Sequence, residues 1–169
     1  MLWRIFQTLP PLGLSADFII GVVFLLVEFM AAICATASLI FMTRIRSRTP
    51  DVEANLPWLN ALPRQPMVDV LICTYNEDEQ ILERTIIGAQ AQQYGNFRVW
   101  ICDDKRRAWL KELCRRLDCG YITRPNNDHA KAGNINNALR YLSTLPEPPD
   151  FISILDADFV PRPQFLART

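Results

Sequence analysis

Two aspartates one residue apart, Asp156 and Asp158, close the apolar run FISILDADFV at residues 151–160. In extended backbone, side chains two positions apart point the same way. Two carboxylates on one side make a hard-oxygen site suited to Mg2+ or Mn2+, which keeps positions open for phosphate oxygens. Three more polar clusters follow apolar runs: Thr74-Tyr75-Asn76-Glu77, Asp103-Asp104, and RPNNDHAKAGN at 124–134, which holds His129 and Lys131. Carboxylates collected along one edge repel each other unless a cation sits among them, and the sequence offers a divalent metal and Lys131 for that role. Lys131 and the amides opening the helix after it add positive field for a diphosphate, and Gly133 permits close backbone approach there. The implied ligand is a nucleoside diphosphate carrying a leaving group. An Asp-x-Asp pair alone is common at strand ends; four clusters together are not.

The elements that must position these residues follow from periodicity. VDVLIC (68–73), FRVWIC (97–102), YIT (121–123) and FISIL (151–155) read as strands, the last as a buried central strand. Residues 79–94, 106–117 and 132–142 carry helical spacing. Strand–helix alternation with near-continuous apolar strands predicts an α/β fold, a parallel sheet covered on both faces. Ligands of such sheets bind outside the carboxyl ends of the strands, where the four clusters lie. Arg106, Arg107, Arg115 and Arg116 read as a solvated helix face.

Composition adds a membrane segment. Basic and acidic residues number 18 each in 169, so there is no basic excess of the kind a nucleic-acid partner requires. Residues 18–42 contain one charge, Glu28. At about 1.5 Å per residue they reach roughly 37 Å, enough for a ~30 Å hydrocarbon layer with some tilt. The run is too long, and begins too far inside the chain, for a signal peptide. It is also too apolar on all sides for the core of a small domain. Arg44, Arg46 and Arg48 follow it against a single Arg4 before it, which places the chain after residue 43 in the cytoplasm, at the inner (plasma) membrane. Glu28 is costly in lipid and predicts a neighbouring helix, from other membrane spans or synthase subunits. The four prolines of 49–66 predict an irregular connector along the membrane surface, with Trp58 as an interface anchor or a hydrophobic plug. Five unpatterned cysteines predict neither a disulfide framework nor a zinc site. The domain reading is 1–17 N-terminal segment, 18–42 transmembrane helix, 43–66 connector and 67–169 nucleotide-sugar domain.

TYNE, the Asp pair, HAKAGNIN and DADFVP, in this order and spacing, resemble the family 2 glycosyltransferases, with the closest likeness to the membrane-embedded cellulose synthases. The resemblance covers about residues 43–169 and implies a GT-A fold, a Rossmann-like nucleotide-sugar-binding domain. It also implies roles. Thr74, Tyr75 and Glu77 line the uridine pocket, and Asp103 or Asp104 reaches the uracil or ribose. His129 and Lys131 lie near the diphosphate, while Asp156 and Asp158 hold UDP and the metal. Asp104, Asp156 and Asp158 form the catalytic set. The implied reaction passes glucose from UDP-glucose to the non-reducing end of a growing β-1,4-glucan, with inversion.

Two departures from the family pattern stand out. The family has Gly directly after the Asp pair, whereas Lys105 stands here, a residue that tolerates positive φ poorly. The family's general base, in a Thr-Glu-Asp motif, and its acceptor-binding Gln-x-x-Arg-Trp motif lie further along than residue 169. The expectation is therefore a donor-binding part, inactive alone and C-terminally truncated. Two other readings stay open: a non-catalytic membrane protein that binds a nucleotide sugar, and a haloacid-dehalogenase-like phosphatase with Asp156 as nucleophile.

Overall fold

A computed structural model describes residues 13, 15–44 and 46–169 of the chain. Arg4 and most of the expected N-terminal segment, 1–17, lie outside the described residues. The chain divides into two compact units, Met1–Arg48 and Thr49–Thr169.

The first unit holds one long helix, α1 (Ala16–Thr43). Ser15 caps its start by accepting the Phe18 amide at 3.3 Å. Its most apolar 18-residue stretch has a mean hydropathy of 2.7, and none of the helix's residues is buried, so the apolar side chains on every side of the helix lack cover. At about 1.5 Å per residue, 28 residues span roughly 42 Å.

The second unit opens with α2 (Thr49–Ala61), where the prolines led to the expectation of irregular backbone. Pro50 sits in the first turn, whose N–H groups have no helical acceptor, so it costs the helix little. Pro57 lies inside and removes one bond, which the helix survives. Trp58 projects from α2 with 64% of its surface exposed, an uncovered aromatic rather than a plug.

Four parallel strands follow: β1 (Val68–Thr74), β2 (Phe97–Asp103), β3 (Gly120–Thr123) and β4 (Phe151–Asp156), in spatial order β3-β2-β1-β4. Between them run α3 (Glu79–Gln90), α4 (Ala108–Arg116) and α5 (Ala130–Leu142), and the short α6 (Phe165–Arg168) comes last. Alternate residues of β1 face opposite layers. Val68, Val70 and Ile72 pack with Leu82 and Ile86 of α3 and Leu110 and Leu113 of α4. Leu71 and Cys73 pack with Ala138 and Leu142 of α5. The expected double-sided cover is present, and all seven residues of β1 are buried.

The one charge inside β1, Asp69, is fully buried and takes both its hydrogen bonds from its register partner Arg98 on β2, each at 2.7 Å. A bidentate pair leaves neither carboxylate oxygen unsatisfied, which is the condition for a charge to sit in a core. Gly120 of β3 lies beside Trp100 of β2, and a Cβ there would stand 2.0 Å from the indole, so only glycine admits the ring.

β4 differs from expectation. It pairs only with β1 and forms a sheet edge among the described residues, with Phe151 62% and Ile154 46% exposed. An apolar run reports that a strand's faces can be covered; it carries no information about lateral order. Because β4 lies on the opposite side of β1 from β2 and β3, the order reverses between β1 and β4. That switch point opens a crevice at the strand carboxyl ends.

Thr85 of α3 anchors the exit of β4. Its buried hydroxyl lies 2.7 Å from the Ala157 carbonyl and can donate to it, with the Ile81 carbonyl at 3.1 Å as the alternative acceptor. Thr85→Val should lower stability by about 1–3 kcal/mol, the cost of an unsatisfied buried carbonyl, while Thr85→Ser retains most of it. Urea unfolding of both variants checks this; equal losses would show that packing of the methyl group, and not the donor, is what matters.

Candidate functional site

The crevice at the β1–β4 switch point is a cavity of about 570 Å3. Its lining includes Cys73, Thr74, Tyr75, Glu77, Asp104, Lys131, Asp156 and Asp158. Seven of the nine site residues expected from the sequence therefore meet in one place: all but Asp103 and His129.

The exit of β1 is organised by Glu77. Its Oε2 accepts the Thr74 hydroxyl at 2.5 Å and the amides of Tyr75 and Asn76 at 2.9 and 3.1 Å. Burial pushes this carboxyl up, but the hydrogen bonds from Thr74 and the backbone outweigh it and hold the group below its ordinary range. Tyr75 stays 55% exposed at the cavity wall, so its ring is not core packing.

The Asp pair after β2 splits into two tasks. Asp103 is fully buried beneath the site, and its oxygens take the amides of Lys105 and Arg107 at 3.0 and 2.6 Å, the Arg107 side chain at 3.1 Å and the Tyr121 hydroxyl at 2.9 Å. Burial, with that carboxylate beside it, pushes the Tyr121 phenol up. With its acceptors filled, Asp103 serves as a brace for the turn. Asp104 reaches the cavity lining, and both its oxygens are held by Arg124, at 2.6 and 2.9 Å.

Sequence reasoning missed these cations. Arg107 reads as a solvated arginine, yet its side chain is only 11% exposed between the two strand exits. It binds Asp103, donates to the Thr74 hydroxyl oxygen at 2.6 Å and donates to the Glu77 carbonyl at 2.9 Å. Arg124 also donates to the carbonyls of Asp128 and Ala130, at 2.5 and 2.8 Å, which folds the loop into α5. Two adjacent carboxylates at a buried strand end require two cations, and that demand was the available signal. Arg115 and Arg116 do sit on the surface, paired with Glu112 and Glu79.

The turn after the Asp pair also differs from expectation. Lys105 does not take positive φ; Arg106 does, at 56°, and its guanidinium donates to the Arg124 carbonyl and to Asn127 at 3.1 and 2.9 Å. Lys105 instead reaches back to Asn76 and lies 5.4 Å from the Tyr75 ring centroid. Glycine at 105 relieves no strain, so Lys105→Gly should cost about 0.4–1 kcal/mol through unfolded-state entropy, with urea unfolding as the readout. A gain in stability would show that the turn does strain residue 105.

His129 precedes α5 with φ 60°, is exposed and stands outside the cavity lining. No side chain caps α5; its Ala130 amide donates to the Asn127 carbonyl at 3.1 Å, and the amides of Lys131 and Ala132 remain open to an acceptor. Gly133 is needed for a different approach from the expected one. A Cβ at 133 would fall 2.0 Å from the Asp128 carbonyl and 2.5 Å from Arg124, so the loop's own backbone, not a ligand, fills that space.

Asp156 ends β4, and a turn follows in which the Phe159 amide donates to the Asp156 carbonyl at 3.1 Å. Asp156 and Asp158 thus share the cavity because of a turn rather than extended backbone. Lys131 pairs with Asp156, and that hydrogen bond raises its pKa. Asp158 makes no ion pair among the described residues. With Asp104 balanced by Arg124 and Asp156 by Lys131, Asp158 and Glu77 leave the cavity a net negative charge. The exposed carboxylates of Asp156 and Asp158 suit a hard divalent cation that takes its remaining ligands from water and phosphate. No cluster of three or more metal-ligating side chains occurs among the described residues.

Residues 69–169 match Glycosyl transferase family 2, and the chain belongs to that family. Its parallel α/β sheet is the GT-A-like fold. The chain is 37% identical, over 98% of its length, to the UDP-forming cellulose synthase catalytic subunit of Pseudomonas fluorescens (strain SBW25). It is 35% identical, over 97%, to the UDP-forming cellulose synthase 1 catalytic subunit of Komagataeibacter xylinus. It spans 21% of the length of each of these relatives. The crystal structure of S. aureus TarS superposes with a TM-score of 0.47 at 18% identity, covering 59% of this chain and 18% of that one. Family membership decides against the phosphatase reading of Asp156.

The ordinary pKa of Glu77 is 4.5 and its folded value lies lower. The anion's contribution to stability is therefore complete above pH 4.5 and is lost as pH falls through the folded value. The gap in Tm between the wild type and Glu77→Gln should shrink below that pH; a constant gap would place Glu77's contribution outside its charge.

Proposed function

We propose that residues 67–169 bind the UDP-glucose donor of a cellulose-synthase-type enzyme, and that residues 18–42 anchor them to the inner (plasma) membrane with the domain in the cytoplasm. The observation that carries this reading is the convergence of Thr74, Tyr75, Glu77, Asp104, Lys131, Asp156 and Asp158 on one cavity at the switch point of the sheet. In this reading glucose passes from UDP-glucose to the end of a β-glucan and UDP departs; the relatives' names, UDP-forming cellulose synthases, support it. The uncovered apolar surface of α1 supports a helix embedded in a bilayer, where its side chains need no protein cover. Glu28 supports neighbouring membrane helices or synthase subunits around it.

In this reading Tyr75 and the Thr74–Glu77 knot form the wall against the uridine, and Asp104, fixed by Arg124, presents its carboxylate edge to the nucleoside. Asp103 contributes by bracing that turn, and His129 by shaping the entry to α5. Lys131 and the open amides of α5 take the diphosphate oxygens. Asp156 and Asp158 would hold Mg2+ or Mn2+. When bound, the ion neutralises charge developing on the departing diphosphate. As the bond from the sugar's C1 to the diphosphate oxygen breaks, Lys131 stabilises the same charge.

Titration calorimetry of the full chain with UDP and Mn2+ tests the assignment. Asp158→Asn should abolish the metal-dependent part of UDP binding. Lys131→Met should weaken UDP by about tenfold or more, about 1.4 kcal/mol, and leave uridine unaffected. Unchanged UDP affinity in both variants would remove the cavity as the donor site.

A further inference from the structure

The floor of the cavity carries chemistry that donor binding does not use. Cys73, at the end of β1, lines the cavity, and its register partner across the β1–β2 ladder is Cys102. Both side chains lie on the α5 face of the sheet. Neighbouring strands run about 4.8 Å apart, within the Cα separation that a disulfide spans. Directly above, Asn134 of α5 is 1% exposed and also lines the cavity. Its amide donates to the Cys102 carbonyl at 2.8 Å, while its buried Oδ1 has no partner. A buried acceptor without a donor is costly unless something small and polar enters from the cavity. Asn134 therefore points to a floor that small polar molecules reach. Cys102 is fully buried and Cys73 lies on the cavity side, so access is one-sided.

We propose that Cys73 is a covalent modification site for small oxidants entering the donor cavity, and that Cys102 captures the oxidised sulfur as a cross-strand disulfide. With a hydroperoxide as oxidant, the Cys73 sulfur attacks the peroxide and the O–O bond breaks. Hydrogen peroxide leaves Cys73 as S–OH and releases one water that carries the thiol proton. The Cys102 sulfur then attacks the Cys73 sulfur, the S–S bond forms and the S–O bond breaks. The hydroxide departs with the Cys102 proton as a second water. The two thiols are oxidised by two electrons in total and the peroxide is reduced by two. The product ties β1 to β2 beneath Thr74 and Asp104 and disturbs the Cys102 carbonyl that holds Asn134. It therefore opposes donor binding, and this consequence rests on the donor-site reading above.

Peroxide treatment of the full chain, followed by non-reducing peptide mapping and UDP titration before and after dithiothreitol, tests the proposal. The expected result is a Cys73–Cys102 linked peptide, a loss of UDP affinity of about tenfold or more, recovery on reduction, and slower cross-linking when UDP is present. In Cys102→Ala, Cys73 should be trapped by a sulfenic-acid probe with no cross-link. Cys114 and Cys119, a second neighbouring thiol pair packed in the opposite layer, serve as the internal comparison. A link found only between Cys114 and Cys119, or Cys73 left as a free thiol, overturns the proposal. UDP failing to bind the reduced chain removes the donor-site reading while the cross-link still reports on the thiols. UDP binding without any Cys73–Cys102 link removes the thiol proposal alone.

Discussion

Charge neutralisation at the carboxyl edge of the sheet is the constraint from which the site's architecture follows. Parallel strands deliver Asp103, Asp104 and Asp156 to one edge, and the turns after β1 and β4 add Glu77 and Asp158. In the low dielectric of a strand end, like charges this close cannot stay ionised without partners. Arg107 answers Asp103, Arg124 answers Asp104, Lys131 answers Asp156, and backbone amides answer Glu77. Each answer also has a structural consequence. Arg107 joins the β1 and β2 exits, Arg124 folds the loop that starts α5, and Lys131 draws α5 toward β4.

The two arginine pairs are the more rigid part because their carboxylates are buried and multiply hydrogen-bonded. A buried pair gains little net stability over an apolar substitute, but losing one partner strands a charge in the core. Their value lies in fixing position: Asp104 has both oxygens committed by Arg124, so its orientation toward the cavity is set before any ligand arrives. The Lys131–Asp156 pair is different. Both side chains are more than half exposed, at 51% and 68%, so the contact is screened and exchangeable. A ligand that brings its own anion and cation could separate them at small cost. The site thus combines a fixed Asp104–Arg124 side with an adjustable Lys131–Asp156 side.

Much of the domain is legible along the chain. Four strands, three helices, the parallel arrangement and most of the cavity lining follow from apolar periodicity and from polar clusters at strand ends, because those signals are local. Asp103 and His129 illustrate where a motif outruns geometry. Adjacent carboxylates in a sequence look equivalent, yet successive side chains at a strand end face opposite ways, so one enters the cavity and the other the core. Arg107 and Arg124 were hidden because an arginine beside a helix start or before a proline looks solvated until its long-range carboxylate is known.

The sequence by itself determined the four strands, the helices α3 to α5, the apolar span of residues 18–42 and the grouping of acids at strand exits, since each depends on neighbours a few residues away. Only the tertiary structure decided that β4 lies beside β1 at an edge and that positive φ falls on Arg106. It also decided that Gly133 yields to its own loop and that Cys73 and Cys102 share a register. Lateral strand order, turn geometry and cross-strand register are set by contacts between residues 18–83 positions apart, and no local pattern encodes them.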